Sequence, residues 1–154
     1  MDGKQSSTNK TDYKIRKATL DDLDILLSFV EDGADEAEIH GYTEESITSI
    51  LKETIIKGIA FVLVVEEKVV GVVCGVIKKS GYIKVLITAA FYIEPRYRSQ
   101  NAIRMLLKYK DEAKRKKVDR VQMHSRFSKD PIKMTLFYER FGFEAREITY
   151  ELEV

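Results

Sequence analysis

The chain has 154 residues, of which 44% are hydrophobic and 33% are charged, and its formal net charge is +1. That size and composition are typical of one soluble globular domain, and the small net charge predicts no strongly charged partner. The single cysteine, Cys74, excludes an internal disulfide and a cysteine-based zinc site, and with only two histidines we expect no metal. The apolar runs are shorter than the roughly 20 residues that span a bilayer, and the N-terminus has no hydrophobic leader. We therefore expect a cytoplasmic protein with no membrane partner.

The first half of the chain predicts strands and helices in a definite order. Residues 1–11 are polar and have no periodic pattern, so we expect a flexible tail followed by one domain at residues 12–154. Thr19 and Thr43 each precede acidic residues, which is typical of a helix N-terminus. The predicted elements are a strand at Tyr13–Ala18, a helix from Thr19, a helix from Thr43 to about Ile56, and β-branched strands at Ala60–Val65, Val69–Ile77 and Tyr82–Ile93.

The second half alternates between helices and strands. Pro95 ends the preceding strand, and Gly142 ends the last helix. The predicted elements are a helix from Ser99 or Asn101 to about Lys116, a strand at Val118–Met123, a helix at Ile132–Phe141 and a strand at Phe143–Val154. This order predicts an α/β fold with a mixed central sheet.

Charge is distributed unevenly along the chain. Residues 18–51 contain ten Asp and Glu and no Lys or Arg, whereas residues 95–133 contain thirteen Lys and Arg against four Asp and Glu. Two solvated helix faces of opposite sign would explain this pattern. A cleft that prefers a cation at one end and a polyanion at the other would explain it equally well.

A basic loop leads into the predicted helix near Ser99. The first N–H groups of a helix lack intrahelical partners, and the helix dipole adds partial positive charge there. Arg96, Arg98 and Arg104 add further positive charge. The combination suits a pyrophosphate, although an ordinary capped helix with solvated arginines accounts for the same residues.

Two stretches carry a resemblance to a known family. The first, Phe91–Leu107, reads FYIEPRYRSQNAIRMLL, and the second, Thr135–Glu144, reads TLFYERFGFE. Together they resemble the acyl-CoA-binding core and the following helix of the GNAT superfamily of N-acetyltransferases, and the preceding elements follow that family's order. The resemblance covers Tyr13 to Val154. It implies a GNAT-type fold with six or seven strands and about four helices, and acetyl-CoA as co-substrate without a metal.

The resemblance also implies a cofactor-binding loop. The family pattern is Gln or Arg, two residues, Gly, one residue, then Gly or Ala. Here Arg98 falls on the basic position, and Asn101 and Ile103 stand where the glycines are expected. The implied cofactor-binding residues are Phe91, Tyr92, Ile93, Arg98, Ser99, Gln100, Asn101, Ala102 and Ile103.

The implied general acid is Tyr138, which falls where many family members hold a tyrosine next to the CoA sulfur. A phenol has a reference pKa of about 10, so it keeps its proton at neutral pH and can give it to a departing thiolate. Many members place a glutamate in the strand that contains residues 87–90, but this chain has no carboxylate there. Glu94, His124 and water remain candidates for the base.

Two functions remain open from the sequence. One is acetyl transfer to an amine-bearing small molecule or a peptidyl amine, and the acidic region from Asp21 to Glu45 favours a cationic acceptor. The other is a catalytically silent GNAT-fold module with a binding or structural role. We do not expect nucleic-acid binding, because the basic run from Lys108 to Lys117 is typical of the outer face of an amphipathic helix. The C-terminal strand could pair at a sheet edge and form a homodimer.

Overall fold

The computed structural model of the protein describes residues 12–36, 42–124 and 130–154. The predicted flexible tail at residues 1–11 lies outside them. The strands are β1 (Tyr13–Lys17), β2 (Ile59–Val65), β3 (Lys68–Ser80), β4 (Ile83–Ile93) and β5 (Arg120–Gln122). The helices are α1 (Leu23–Glu36), α2 (Glu44–Ile56), α3 (Ser99–Arg115) and α4 (Pro131–Phe141), with short 3-10 turns at Leu20–Asp22 and Pro95–Tyr97. Within the described ranges, no helix is long and apolar enough to cross a membrane.

The strands form one sheet in the order β1-β2-β3-β4-β5. The first four strands pair antiparallel in succession. β5 instead pairs parallel to β4, because the chain crosses over through α3 between them. This mixed sheet between helices confirms the α/β class that the order of elements predicts.

The core lies on both faces of the sheet, and β2 shows this most clearly. Every residue of β2 is buried. Phe61 and Leu63 pack on the face covered by α3, whereas Val62 and Val64 pack on the face covered by α1 and α2. The nearly continuous apolar sequence of β2 predicts a strand covered on both faces, and the structure confirms it.

The prediction of a C-terminal strand at Phe143–Val154 is wrong. Residues 143–154 have no regular secondary structure, and Ile148 and Tyr150 are 78% and 88% exposed. Alternating apolar residues favour a strand only when a neighbouring strand and a covered face are available. No described strand pairs with this segment, so the described sheet has five strands instead of six or seven.

The beginning of the first helix also differs from its prediction. A 3-10 turn precedes α1, and the carboxylate of Asp22 accepts a hydrogen bond from the Thr19 N–H at 2.8 Å. The same carboxylate accepts two bonds from the Arg16 guanidinium, each 2.9 Å long. These bonds from Arg16 are the main reason that the pKa of Asp22 is lowered. Asp22 therefore joins β1 to the start of the first helix, and its negative charge also interacts favourably with the helix dipole.

A second buried carboxylate joins α3 to β1. Glu112 is only 9% exposed and accepts bonds from Arg115 at 2.7 and 2.8 Å. Lys17 of β1 lies 3.2 Å from the same carboxylate. The hydrogen bonds from Arg115, followed by the contact with Lys17, lower the pKa of Glu112 to about 2.

We predict that Glu112→Gln lowers the free energy of unfolding at pH 7 by about 1–2 kcal/mol. The effect is modest because Lys17 and Arg115 are themselves mostly exposed. A carboxyl with a lowered pKa stabilises the fold above its unfolded pKa, and this contribution is lost as the pH falls through the folded value. The difference between the wild type and the variant should therefore shrink as the pH falls from about 4.5 toward 2.

Urea denaturation at a series of pH values measures this difference. Glu139→Gln is the matched control, because Glu139 is an exposed carboxylate without an ion pair in the described chain. A Glu112→Gln deficit that stays constant down to pH 2 would contradict the linkage.

Candidate active site

β4 and β5 lie side by side over only a short length. Their pairing joins Val85 to Arg120 and ends at Ile87 opposite Gln122, although β4 continues to Ile93. Over residues 88–93, no strand of the described chain pairs with this edge of β4. Because the two strands are parallel, both carboxyl ends lie at this opening, and ligands bind at such ends in open α/β sheets.

A β-bulge lies in β4 where the opening begins. Cys74 pairs with Ala90 and Gly75 pairs with Thr88, so Ala89 has no counterpart on β3. A bulge bends its strand and changes the direction of the main-chain groups beside it. The bend therefore coincides with the point where β4 leaves β5.

Tyr109 of α3 supports this bulge from the core. Its hydroxyl lies 3.0 Å from Thr88 Oγ1, in a position that a Cβ atom on Gly75 would overlap. Burial raises the pKa of Tyr109 above its ordinary value, so this phenol stays protonated. This contact was not predicted from the sequence. An isolated glycine within the apolar run of β3 was the available signal, since such a glycine often marks a bulge or a close approach.

The N-terminus of α3 lies at the same end of the sheet. The Ala102 N–H donates to the Arg98 carbonyl at 3.1 Å, and the N–H groups of residues 99–101 donate to no acceptor in the described chain. The non-glycine residues with positive φ in that chain are Glu66, Glu67 and Lys117. Asn101 and Ile103 are therefore ordinary helical residues, and this terminus does not require the backbone freedom of glycine.

Arg98 ties this helix to the end of β4. Its Nε donates to the Ile93 carbonyl at 2.6 Å, and its guanidinium lies 5.2 Å from the centre of the Tyr92 ring. The planar guanidinium is thus held by the main chain at the end of β4 and by an aromatic ring of the same strand. Arg98 is thus fixed beside the opening.

A side-chain network covers the first turn of α3. Arg104 donates to Asn101 Oδ1 at 3.1 Å and to Gln100 Oε1 at 3.2 Å, and its guanidinium lies 4.2 Å from the centre of the Tyr13 ring. The Asn101 amide in turn donates to the Tyr97 carbonyl at 2.8 Å. The polar side chains in this turn thus hold one another in place.

The last residues of β4 point alternately to the two faces of the sheet. Phe91 and Ile93 pack in the cluster beneath α3. Tyr92 packs on the other face, where its ring lies 5.6 Å from that of Phe29 in α1. With these side chains packed, the part of residues 91–93 that remains for a ligand in the opening is the main chain.

Tyr138 of α4 lies beside the end of β5. It is 8% exposed, and its hydroxyl donates to the His124 carbonyl at 3.4 Å. Burial raises the pKa of Tyr138 to about 12, so the phenol is neutral at pH 7. The structure therefore brings Tyr138 together with the main chain of His124, while the imidazole side chain is exposed.

Glu94, the other predicted acid–base residue, follows β4 directly. Its N–H donates to the Val70 carbonyl and its carbonyl accepts from the Tyr97 N–H, both at 2.9 Å. Its half-buried carboxylate makes no hydrogen bond or ion pair with any described residue. The structure thus places Glu94 at the opening without linking it to Tyr138.

Acidic residues of α1 approach the same end of the sheet. Gly33 lies against the Tyr92 ring, so the second half of α1 crosses the end of β4. The pKa of Tyr42, a residue just before α2, is raised above its ordinary value. Desolvation is the largest cause, and the negative charges of Asp35 and Glu31 add to it. Among the residues that the structure describes, no three His, Cys, Asp or Glu side chains are grouped to hold a metal ion.

Known proteins share this arrangement of helices and strands. Residues 57–145 match the acetyltransferase (GNAT) domain, and no curated protein sequence matches the chain. A possible acetyltransferase from Clostridium difficile 630 is 24% identical with a TM-score of 0.69, over 92% of this chain and 97% of that chain. A predicted acetyltransferase from Clostridium acetobutylicum with acetyl-CoA is 15% identical with a TM-score of 0.77, over 92% and 96%. Glucosamine-6-phosphate N-acetyltransferase from Arabidopsis thaliana is 18% identical with a TM-score of 0.64, over 92% and 98%. The structural likenesses show the fold, and the domain match covers more than half of the sequence, so the chain belongs to the GNAT acetyltransferase family.

Proposed function

We propose that the protein is an N-acetyltransferase that moves an acetyl group from acetyl-CoA to a primary amine by direct transfer, with Tyr138 as the general acid. The observation that carries this proposal is the opening at the carboxyl ends of β4 and β5. The N-terminus of α3 lies at its β4 side, and the buried hydroxyl of Tyr138 lies at its β5 side.

The residues at the start of α3 fit the pyrophosphate of CoA. Three N–H groups, at Ser99, Gln100 and Asn101, have no acceptor in the described chain, and the helix dipole favours an anion there. Arg98 adds a fixed positive charge beside them. Ile103 has an ordinary helical backbone and is 46% exposed. No distortion of the backbone at this position therefore covers the three N–H groups.

The edge of β4 fits the amide-bearing arm of CoA. Main-chain groups of Phe91, Tyr92 and Ile93 lie on a strand that has lost its neighbour, so an extended chain of amides could pair there as an added strand does. The bulge at Ala89 changes the direction of the main chain next to these residues. A main-chain N–H near the bulge is therefore the expected donor to a thioester carbonyl.

Acetyl-CoA, when bound, supplies an acyl thioester whose sulfur departs as the amine is acylated. Tyr138 is suited to meet that sulfur because burial keeps its proton in place at neutral pH. A phenol with a pKa of about 12 is a weaker acid than a thiol, whose reference pKa is about 8.5. Tyr138 therefore acts mainly by donating a hydrogen bond to the developing negative charge, and the released thiolate takes its proton from water while the base accepts the proton that the amine loses.

The base that accepts the amine proton is Glu94, His124 or water. Glu94 has a half-buried carboxylate at the end of β4 that pairs with no residue in the described ranges. His124 adjoins Tyr138 through its carbonyl, and an imidazole has a reference pKa near about 6.5. With neither side chain linked to Tyr138 in the described structure, water remains a third route for the proton.

We infer that the acceptor is a cationic amine, such as a polyamine, an amino sugar or a peptidyl amine. Support comes from Glu31 and Asp35, which flank Gly33 in the part of α1 that lies against Tyr92 at the end of β4. A negative potential at that end raises the local concentration of a cation. The structurally similar glucosamine-6-phosphate N-acetyltransferase is named for an amino sugar.

We predict saturable binding of acetyl-CoA, and weaker binding by Asn101→Glu. The substitution places a negative charge at the N-terminus of α3, so the dissociation constant should rise at least about tenfold. Isothermal titration calorimetry measures it. Lys110→Ala is the control, because it makes the same change in net charge at an exposed position further along α3 and should alter the constant less than about twofold.

The same titration separates the enzyme from the silent module. The module is favoured by the absence of glycine at Asn101 and Ile103 and of a carboxylate in residues 87–90. A cooperative unfolding transition shows that the protein is folded. If such protein does not bind acetyl-CoA at millimolar concentration, the enzyme proposal is wrong and the silent module is the remaining function.

We predict that Tyr138→Phe lowers kcat for acetyl transfer by roughly 10²–10⁴-fold, because it removes the acid that meets the departing sulfur. The dissociation constant for acetyl-CoA should change little, since the ring and its packing remain. Steady-state release of the CoA thiol measures kcat. Tyr150→Phe is the matched control, because it removes the same hydroxyl from a side chain that is 88% exposed. Unchanged kcat in Tyr138→Phe would remove Tyr138 from the mechanism.

We predict that the double variant Glu31→Lys and Asp35→Lys lowers kcat/KM for a polyamine at least about tenfold. The constant for a neutral primary amine should stay within about twofold, because such an amine gains little from the negative potential. Charge reversal at Glu66 and Glu67, in the turn between β2 and β3, is the control. Equal losses for both amines would contradict a cationic acceptor.

A further inference from the structure

A side-chain hydrogen bond lies at the point where β4 and β5 separate. The last paired residues of the two strands are Ile87 and Gln122. The residues that directly follow them are Thr88 and Met123, and Thr88 Oγ1 donates to the Met123 sulfur at 3.1 Å. Thr88 is only 6% exposed. The side chains of Thr88 and Met123 therefore join the two strands where their main-chain pairing ends.

The direction of this bond makes Tyr109 a donor. A threonine hydroxyl has one hydrogen, and Thr88 gives it to Met123. The Tyr109 hydroxyl, which lies 3.0 Å from Thr88 Oγ1, must then donate in the bond between them. Tyr109 is 1% exposed, and a Cβ atom on Gly75 would overlap its hydroxyl. Packing and this bond together fix the position of the phenol.

A second buried group holds the bulge from the opposite face of the sheet. The Thr54 hydroxyl donates its one hydrogen to the Leu51 carbonyl at 2.8 Å. Its oxygen can therefore accept the thiol hydrogen of Cys74, which leaves the sulfur to accept the Ala90 N–H. Burial raises the pKa of Cys74 to about 11, and hydrogen bonds with the Thr54 side chain and the Ala90 main chain oppose this rise. The thiol thus stays neutral beside the bulge.

These contacts hold the residues on either side of Ala89, which has no counterpart on β3. Neighbouring side chains of a regular strand point to opposite faces. Ala89 and Ala90, however, both pack against the cluster beneath α1 and α2. The alternation is broken at the bulge, so its main-chain groups have a direction that a regular strand would not give them.

We propose that Tyr109 is a positioning residue for acetyl transfer, because through Thr88 it fixes the direction of the main-chain N–H groups at the bulge. Cys74 does the same from the other face of the sheet through Ala90. This inference rests on the proposed function, in which such an N–H polarises the thioester carbonyl. A donor of this kind stabilises the charge that develops on the carbonyl oxygen only if its direction is set before the reaction. Tyr109 and Cys74 are buried in the core, so they act through the main chain and exchange no proton with the substrates.

We predict that Tyr109→Phe, which removes the hydroxyl and keeps the ring, weakens the polarisation of the bound thioester. Infrared difference spectroscopy of acetyl-CoA with an isotope label at its thioester carbonyl measures this polarisation without an amine. In the wild type the carbonyl band should lie below that of free acetyl-CoA, and in Tyr109→Phe it should return most of the way to the free value. For any amine that is acetylated, kcat should fall at least about tenfold, while the dissociation constant for acetyl-CoA changes less than about twofold.

Variants at the partner residues separate positioning from a general loss of stability. Thr88→Ser keeps the hydroxyl and should give the wild-type band, whereas Thr88→Val should behave like Tyr109→Phe. Cys74→Ser should likewise keep the band nearer to the wild type than Cys74→Ala does. Ala113→Gly is the control for stability, because Ala113 is a buried residue one turn after Tyr109 in α3. It should lower the midpoint of thermal unfolding without moving the band.

The outcomes distinguish this inference from the proposed function. A folded wild type that binds no acetyl-CoA would overturn both. Saturable binding with the same carbonyl band in the wild type and in Tyr109→Phe would overturn the positioning role alone. An equal band shift in Ala113→Gly would do so as well, since the band would then follow the stability of α3. If Tyr109→Phe does not fold, the Thr88 pair decides, and a wild-type band in Thr88→Val would contradict the proposal.

Discussion

The candidate site depends on one contact, in which the Tyr109 hydroxyl reaches over Gly75 to Thr88. The missing Cβ of Gly75 admits the phenol, and the hydrogen bond holds Thr88 toward α3. The next residue, Ala89, then has no partner on β3. Pairing with β5 ends one residue before Thr88. The bulge and the opening thus lie next to each other, and both are held by a fully packed aromatic residue of the helix that begins at the opening. A rigid core contact therefore sets the geometry of the main chain on which a ligand would lie.

The order of helices and strands could be predicted from the sequence because each element carries its own local signal. Thr43 illustrates this. Its hydroxyl accepts the Ser46 N–H at 3.1 Å, as the cap pattern predicts. The C-terminal strand could not be predicted in the same way. Alternation at Ile148 and Tyr150 specifies what the segment can do when a partner strand is present, but it does not say whether the same chain provides that partner. Secondary structure that depends on pairing is not a local property.

The positions of candidate site residues could be predicted where they follow from charge and from the start of a helix. They could not be predicted where they depend on packing in the core. Arg98 and the first turn of α3 lie where the sequence places them, because a loop that enters a helix fixes both. Tyr109 was missed because, at helical spacing, it is indistinguishable from any other core residue. Glu94 and His124 also show this limit. Their sequence positions bring them to the ends of neighbouring strands, yet which of their atoms face the opening depends on how those strands diverge.

Tyr138 connects the site to the C-terminal segment. Its carbonyl accepts the Phe143 N–H, and its ring lies 5.6 Å from that of Phe143. The segment thus begins on the residue whose hydroxyl faces the end of β5. Anything that holds residues 144–154 in place also restricts Phe143, and through it the end of α4. In the proposed mechanism the Tyr138 hydroxyl must stay within a few tenths of an ångström of its working position, so the packing of Phe143 against Tyr138 bears directly on that role.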